Sequence, residues 1–283
     1  MVLVKQNDHG PRLRSSRNTW LGELSPSIKR YRYEQKKQLQ EVFDIEYNRL
    51  LQGDKNSSEC LLFEIYDETF SRDFLNLEDE TSWSSFSKPE GLLLIKIMTK
   101  EYGAAIGAFH TALILALAPM GLETALQTYS SATVEGDERS KQGDNAWGPI
   151  RAPRGHDRNW PTIVLEVAVS ENQSKLQSDV RFWLGDGRGK VNVVFTLTVD
   201  RENPQISIEK WVLKDGREHY QEQVNISRNS KGQVHVTGAP LTIEFESLFL
   251  RTIEGPKKQD IQFPEAVLAK LADTIWTVQG LSN

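Results

Sequence analysis

The stretch Pro161–Ser170, reading Pro-Thr-Ile-Val-Leu-Glu-Val-Ala-Val-Ser, constrains this chain more than any other. Apolar and β-branched residues dominate it, so it predicts a strand over Thr162–Val169 covered on both faces, at the centre of a sheet. One carboxylate, Glu166, interrupts the run. Removing an ionised carboxylate from water costs on the order of several kcal/mol unless a cation or strong donor faces it. Glu166 therefore demands a partner.

A second acid, Asp144, lies 22 residues upstream (166 − 144), ahead of Trp147 and a Pro/Arg-rich connection, and a polar helix start follows the strand at Glu171. Two acids on neighbouring strands with a helix behind them make a scaffold suited to a divalent ion and phosphodiester chemistry.

At 283 residues and 38% hydrophobic content, the chain is long enough to bury a full core in one large or two modest domains. Cys60 is its one cysteine, which excludes an internal disulfide framework and fits a reducing compartment. The first residues hold no apolar signal core, so the expected location is intracellular, cytoplasmic or nuclear. Asn56, Asn172 and Asn225 begin N-x-S/T triplets, which without a secretory route read as chance matches.

Charge is uneven. Residues 1–37 carry nine Lys/Arg against three Asp/Glu, so with −5 for the whole chain the remaining 246 residues carry −11. A nucleic-acid-binding body normally shows a basic footprint, and this one is acidic. Arg12, Arg14, Arg17, Lys29, Arg30, Arg32, Lys36 and Lys37 could offer phosphate contacts, but a solvated arm over residues 1–25 is the plainer expectation.

Tyr102–Leu122 is an uncharged run of 21 residues, the length of a membrane span. Ile106, Phe109, His110, Leu113, Ile114 and Leu117 share one helical side and small residues the other, with Gly103 and Gly107 spaced to let a helix lie close to a sheet. His110, Thr111, Pro119 and three glycines suit a buried helix better than a lipid one, and no span is expected.

Periodicity and turn signals give this order: a charged helix over about 27–52, a strand at 61–66, and an acidic irregular stretch over 67–90 with Trp83 and Phe86 as anchors. There follow a strand at 92–97, a helix at 100–117, a short helix to Gln127, strands at 130–134 and from Asp144, and the strand at 162–169. A helix at 171–184, strands at 191–199 and 206–213, a hairpin at 221–236 and a closing helix at 264–278 complete it.

That order, with acids on successive strands, resembles the PD-(D/E)XK, or restriction-endonuclease-like, superfamily. More specifically, Lys141-Gln-Gly-Asp144-Asn-Ala-Trp147-Gly-Pro149, Trp160-Pro-Thr-Ile-Val-Leu-Glu166-Val-Ala-Val-Ser170-Glu171, Lys175-Leu176, Asp179 and Phe182-Trp183-Leu184 are similar to a group of fungal proteins assigned to that superfamily. Pro119-Met-Gly-Leu122, Ile208-Glu-Lys-Trp211 and Phe245-Glu-Ser-Leu-Phe249 with Arg251 match it too. The resemblance covers about residues 90–280. It implies an α/β (α+β) fold, a central mixed β-sheet flanked by helices, with a C-terminal hairpin and helix. Residues 1–25 would be a basic disordered arm, 26–90 a helical and irregular extension, and 91–283 the nuclease-like domain.

The resemblance further implies a Mg²⁺ site, with Mn²⁺ as a substitute, in which Asp144, Glu166 and the backbone carbonyl of Val167 hold the ion. Two departures bear on it. The group typically shows Lys-Glu-Pro-Asp where this chain has Lys141-Gln142-Gly143-Asp144, and the lysine normally two residues after the glutamate is Ala168. Lys175 or Arg181 on the following helix could replace it. Lys175 is the better candidate, because it lies nearer the strand end and a lysine can move a proton where an arginine cannot. The plain alternatives are a Lys175–Asp179 surface pair at i, i+4, a Glu166 held in a buried ion pair, and an Asp144 in a solvated turn.

Gly185-Asp-Gly187-Arg-Gly189-Lys190 follows a helix rather than a strand and lacks the Ser/Thr of a phosphate loop, so it reads as a helix end and turn. His156-Asp157 lacks the further ligands of a zinc site. Two functions follow: a Mg²⁺-dependent nucleic-acid phosphodiester hydrolase, or a catalytically inactive nuclease-like fold serving as a binding or assembly module.

Overall fold

The computed structural model of this chain describes residues 20–54, 56–75, 83–130, 132–169 and 173–281. They form a mixed α/β fold with two main sheets. The chain begins with one helical turn, α1 (Trp20–Glu23), then β1 (Lys29–Arg32), α2 (Lys36–Leu51), β2 (Cys60–Glu64) and α3 (Asp67–Phe74). Next come β3 (Ser85–Ser87), β4 (Leu92–Lys96), the long helix α4 (Lys100–Leu117), and three short strands, β5 (Leu126–Thr128), β6 (Thr133–Glu135) and β7 (Arg139–Gln142). All of these strands except β5 build the first sheet, ordered β1-β2-β4-β3-β7-β6.

The second sheet takes β8 (Asn145–Pro149), β9 (Ile163–Val169), β10 (Val193–Val199), β11 (Gln205–Lys214), β12 (Arg217–Arg228) and β13 (Val234–Thr237), in the order β13-β12-β11-β10-β9-β8-β5. Between β9 and β10 runs α5 (Gln173–Arg181), prolonged by a π-helical turn at 182–186. A small pair, β14 (Leu241–Ile243) and β15 (Ile261–Phe263), brackets α6 (Phe245–Phe249), and α7 (Glu265–Gln279) closes the chain.

The strand predicted at 162–169 is central, with β8 antiparallel on one side and β10 parallel on the other. Alternation along β9 gives its two faces different neighbours. Ile163, Leu165, Val167 and Val169 enter the core shared with α4 and α7, whereas Val164 packs with Val180, Trp183 and Leu184 of the α5 region. α4 buries Tyr102, Ala105, Ala108, Phe109, Ala112, Leu113 and Leu117. It is long and apolar enough to cross a membrane by length and composition. A Cβ on Gly103 or Gly107 would meet no atom within 4 Å, so the close approach expected from their spacing is not made at these glycines; the small residues that α4 buries are Ala105, Ala108 and Ala112. His110 accepts a hydrogen bond from Trp147 Nε1 at 3.0 Å, as a histidine beside the core would.

Several expectations for the N-terminal third are corrected. The helix expected at 27–52 is preceded by β1, which pairs parallel to β2 and leaves α2 to start at Lys36. The stretch 67–90 contains α3 and β3, with Trp83 and Phe86 buried as anticipated. Leu126–Thr128 is an edge strand and not helix. Residues 1–19 of the arm lie outside the described residues, but Trp20 and Leu24 are buried. The Glu90 carboxylate accepts from the backbone N–H groups of Trp20 and Leu21 at 2.6 and 3.0 Å, meeting the donors that a helix start leaves open. One sheet spans residue 90, since β2 pairs with β4 and β3 with β7.

Candidate functional site

The two sheets part where the chain leaves β7 and enters β8, and Asp144 stands at that crossing. Asn145 still pairs with Leu165, so Asp144 falls beside the next residues of β9 as the strands separate. A Cβ on Gly143 would lie 3.1 Å from the Trp183 ring and 3.7 Å from Val164. A larger residue there would need the ring to give way by a few tenths of an ångström.

Asp144 accepts a hydrogen bond from the Val167 backbone N–H at 2.6 Å. The Lys96 ammonium, at the end of β4, donates to both the Asp144 carboxylate and the Val167 carbonyl, and lies 4.4 Å above the centre of the Tyr102 ring. Thr99 caps α4 by accepting from the Tyr102 backbone N–H at 3.3 Å, which holds that ring over the lysine. Burial would raise the Asp144 acid, but Lys96, with Lys175 and Lys141 beyond it, outweighs burial and keeps it below the usual carboxylate range. Burial and the same carboxylate push the Tyr102 phenol well up.

Glu166 points to the α5 face into a closed quartet. Its Oε1 accepts from Trp183 Nε1 at 2.7 Å and lies 3.1 Å from Lys141 Nζ, while Lys175 Nζ stands 3.7 Å from Oε2. Both lysines come closer to Asp179, Lys141 at 2.8 Å and Lys175 at 2.6 Å. All four side chains, two lysines and two carboxyl groups, are buried. The short contacts favour Asp179, and the acids divide accordingly. Burial pushes Glu166 up to about 7 despite Lys141, whereas Lys141 and Lys175 overcome burial at Asp179 and hold it far below the usual range. Burial opposes the charge on Lys175, but Asp179 and Glu166 keep it protonated well above its ordinary value.

A further acid, Glu59, precedes β2. It accepts from the Val169 N–H at 3.1 Å and from Arg201 at 2.6 Å, and burial raises its pKa against the pull of Arg201 and Lys96.

The structure thus gathers Asp144, Glu166, Val167 and Lys175 in one region, but with different partners from those expected. Lys175 faces both Glu166, at 3.7 Å, and Asp179, which is nearer at 2.6 Å because i, i+4 spacing on α5 brings the two together in the interior, not at the surface. Arg181 leaves the region to pair with Glu23 of α1 at 3.2 Å. The expected Mg²⁺ ligands do not fit an ion as they stand. Magnesium requires converging hard oxygens and keeps several waters. Here the Asp144 carboxylate and Val167 carbonyl both face the Lys96 ammonium, and Glu166 faces two lysines and an indole N–H. Among the described residues no group of three His, Cys, Asp or Glu side chains is arranged to hold a metal.

Sequence reasoning passed over Lys96, Glu59 and the role of Lys141. A signal existed: Leu-Leu-Leu-Ile-Lys96 ends a wholly apolar strand in a charge, a pattern as anomalous as Glu166 itself. The Gly185–Lys190 segment is the turn anticipated. A Cβ on Gly187 would lie 2.1 Å from the Trp183 carbonyl oxygen, which requires glycine there. His156 contacts the Trp160 carbonyl at 3.3 Å, and Asp157 pairs with Lys190.

No family model and no curated protein matches this chain. Among solved structures it is similar to one described as a "putative nuclease belonging to DUF820" from Anabaena variabilis ATCC 29413, with a TM-score of 0.40, 11% identity, and coverage of 74% of this chain and 99% of that one.

Proposed function

We propose that this chain is a nuclease-like fold serving as a binding or assembly module and not a phosphodiester hydrolase. The observation that carries the reading is the closed quartet around Glu166. A hydrolytic centre needs an acid able to reach an ion or a water at the reacting phosphate. Glu166 is fully buried and ringed by Lys141, Lys175 and Trp183. Lys175 stays protonated through neutral pH, so it cannot take a proton from water there. The acidic body, at −11 outside residues 1–37, also disfavours tracking a phosphate backbone.

One observation favours Mg²⁺-dependent hydrolysis as a second reading: a small cleft lined by Ser84, Lys96, Tyr102, Gln142 and Gly143 opens beside Asp144. Cleavage assays on single- and double-stranded DNA and on RNA, with Mg²⁺ or Mn²⁺, decide between the two. The module reading expects no turnover by wild type. Cleavage lost in both Glu166→Gln and Lys175→Met, with the fold intact, would overturn it.

A further inference from the structure

We infer that the Lys96 ammonium is the resident cation of the Asp144 site, built into the chain at the point where the nuclease-like arrangement would hold a divalent ion. The inference deepens the module reading and rests on it. The donors match. A carboxylate oxygen and a backbone carbonyl, from Asp144 and Val167, are hard oxygen ligands of the kind magnesium takes, and both converge on the Lys96 nitrogen.

The ammonium has three protons, and its surroundings offer three acceptors: the Asp144 carboxylate, the Val167 carbonyl and the face of the Tyr102 ring at 4.4 Å. A lysine satisfied on every side is neither a nucleophile nor a phosphate ligand. It neutralises Asp144 and ties β4 of the first sheet to β9 of the second at the point where they part. The Lys96 and Asp144 side chains are 8% and 4% exposed, so the pair is largely shielded from competing ions in solvent.

This assignment makes Lys96 and a divalent ion mutually exclusive, because both require the same two oxygens and like charges at one point repel. A cleft lies beside them. Ser84 borders it with a buried hydroxyl that has no hydrogen-bond partner, so removing the lysine side chain would open a polar pocket continuous with solvent.

Two measurements test the assignment. Reductive methylation of the wild-type chain, followed by peptide mass spectrometry, is run with and without millimolar Mn²⁺, with exposed Lys37 as the internal reference. Lys96 is expected to react at least about tenfold more slowly than Lys37 in both conditions, since it must first leave a buried carboxylate. Reactivity of Lys96 comparable to that of Lys37, or brought on by Mn²⁺, would overturn the assignment.

In calorimetry, wild type is expected to take up no Mn²⁺, Lys96→Ala to bind one ion per chain, and Lys96→Ala/Asp144→Asn to lose that binding. A folded Lys96→Ala that binds no Mn²⁺ would also overturn it. Should Lys96→Ala fail to fold, the methylation result decides alone. Nucleic-acid cleavage by a wild type whose Lys96 stays protected would end the module reading but leave the lysine assignment in place.

Discussion

The two faces of β9 are built from one run of residues and hold together by different physics. On the α4 side, Leu165 and Val167 meet Phe109, Leu113 and neighbouring apolar side chains. On the α5 side, Glu166 meets Lys141, Lys175, Trp183 and, through the lysines, Asp179. Apolar packing loses energy in proportion to the volume removed, whatever the pH. The charged face depends on two lysines and two carboxyl groups held against one another in a low-dielectric interior, so removing one of them leaves a buried partner uncompensated. A single strand can thus tolerate gradual change on one face and almost none on the other.

The largest expected effect comes from breaking that balance. Lys141→Met keeps much of the side-chain volume but leaves Glu166 and Asp179 to share Lys175, and it should destabilise the fold by about 3–5 kcal/mol in urea unfolding. Lys141→Met/Asp179→Asn restores neutrality and is expected to be more stable than Lys141→Met alone. If the double variant is instead the sum of its parts, the quartet does not act as a unit.

On the opposite face, Leu165→Ala should cost about 2–4 kcal/mol through the lost apolar contacts and the cavity left behind. The loss should be the same at pH 5 and pH 7.5, since Leu165 packs in the apolar cluster that holds Phe109, Leu113 and Trp147. A pH-dependent loss would mean that the two faces are coupled through the strand.

How much of this was readable beforehand follows the same division. Glu166 stood out because one charge interrupts an apolar run, and β9 was placed at the centre of its sheet for the same reason. Its partners were not readable, because Lys141 and Asp179 lie in polar surroundings where a charge is ordinary, and only the tertiary fold turns them inward. Lys175 was recognised as facing Glu166 or Asp179 but not both, since helical spacing fixes a direction and not the depth of burial. Trp20 and Leu24 were missed because two apolar residues beside a basic segment make no periodic signal. They become core when the Glu90 carboxylate, 70 positions from Trp20, fixes the turn that carries them.

A smaller effect, in pH dependence, sharpens the contrast. Glu166 titrates near 7 in the folded chain against 4.5 when unfolded, so the native state holds an extra proton between those values. Stability from this group is therefore greatest below about pH 4.5, falls as pH rises toward 7 and levels off above. Asp179 and Asp144 have the opposite sign: their depressed values stabilise the fold above the unfolded 3.8 and lose that stabilisation as pH falls below it. Between pH 5 and 7.5 the Glu166 contribution, joined by one of the same sign from buried Glu59, falls away, and wild type should lose about 1–3 kcal/mol over that window. Glu166→Gln has no such proton to lose, and its urea midpoint should vary less with pH. Parallel slopes for the two proteins would show that another group carries the dependence.

The smallest effect sets the scale for charge itself. Lys37 and Glu41 pair at 4.0 Å on α2 at i, i+4 spacing, with side chains 82% and 64% exposed. They share the spacing of Lys175 and Asp179, yet water screens the pair and restraining two long side chains costs entropy. Lys37→Ala should shift the urea midpoint by no more than the ~0.5 kcal/mol typical of helical surface pairs, and added salt should erase the difference. Lys175→Ala, by contrast, should stay strongly destabilising in high salt, because its partners lie where salt does not reach. Equal salt sensitivity of the two variants would mean that water penetrates the α5 face, and the distinction between the faces of β9 would then rest on hydration and not on burial.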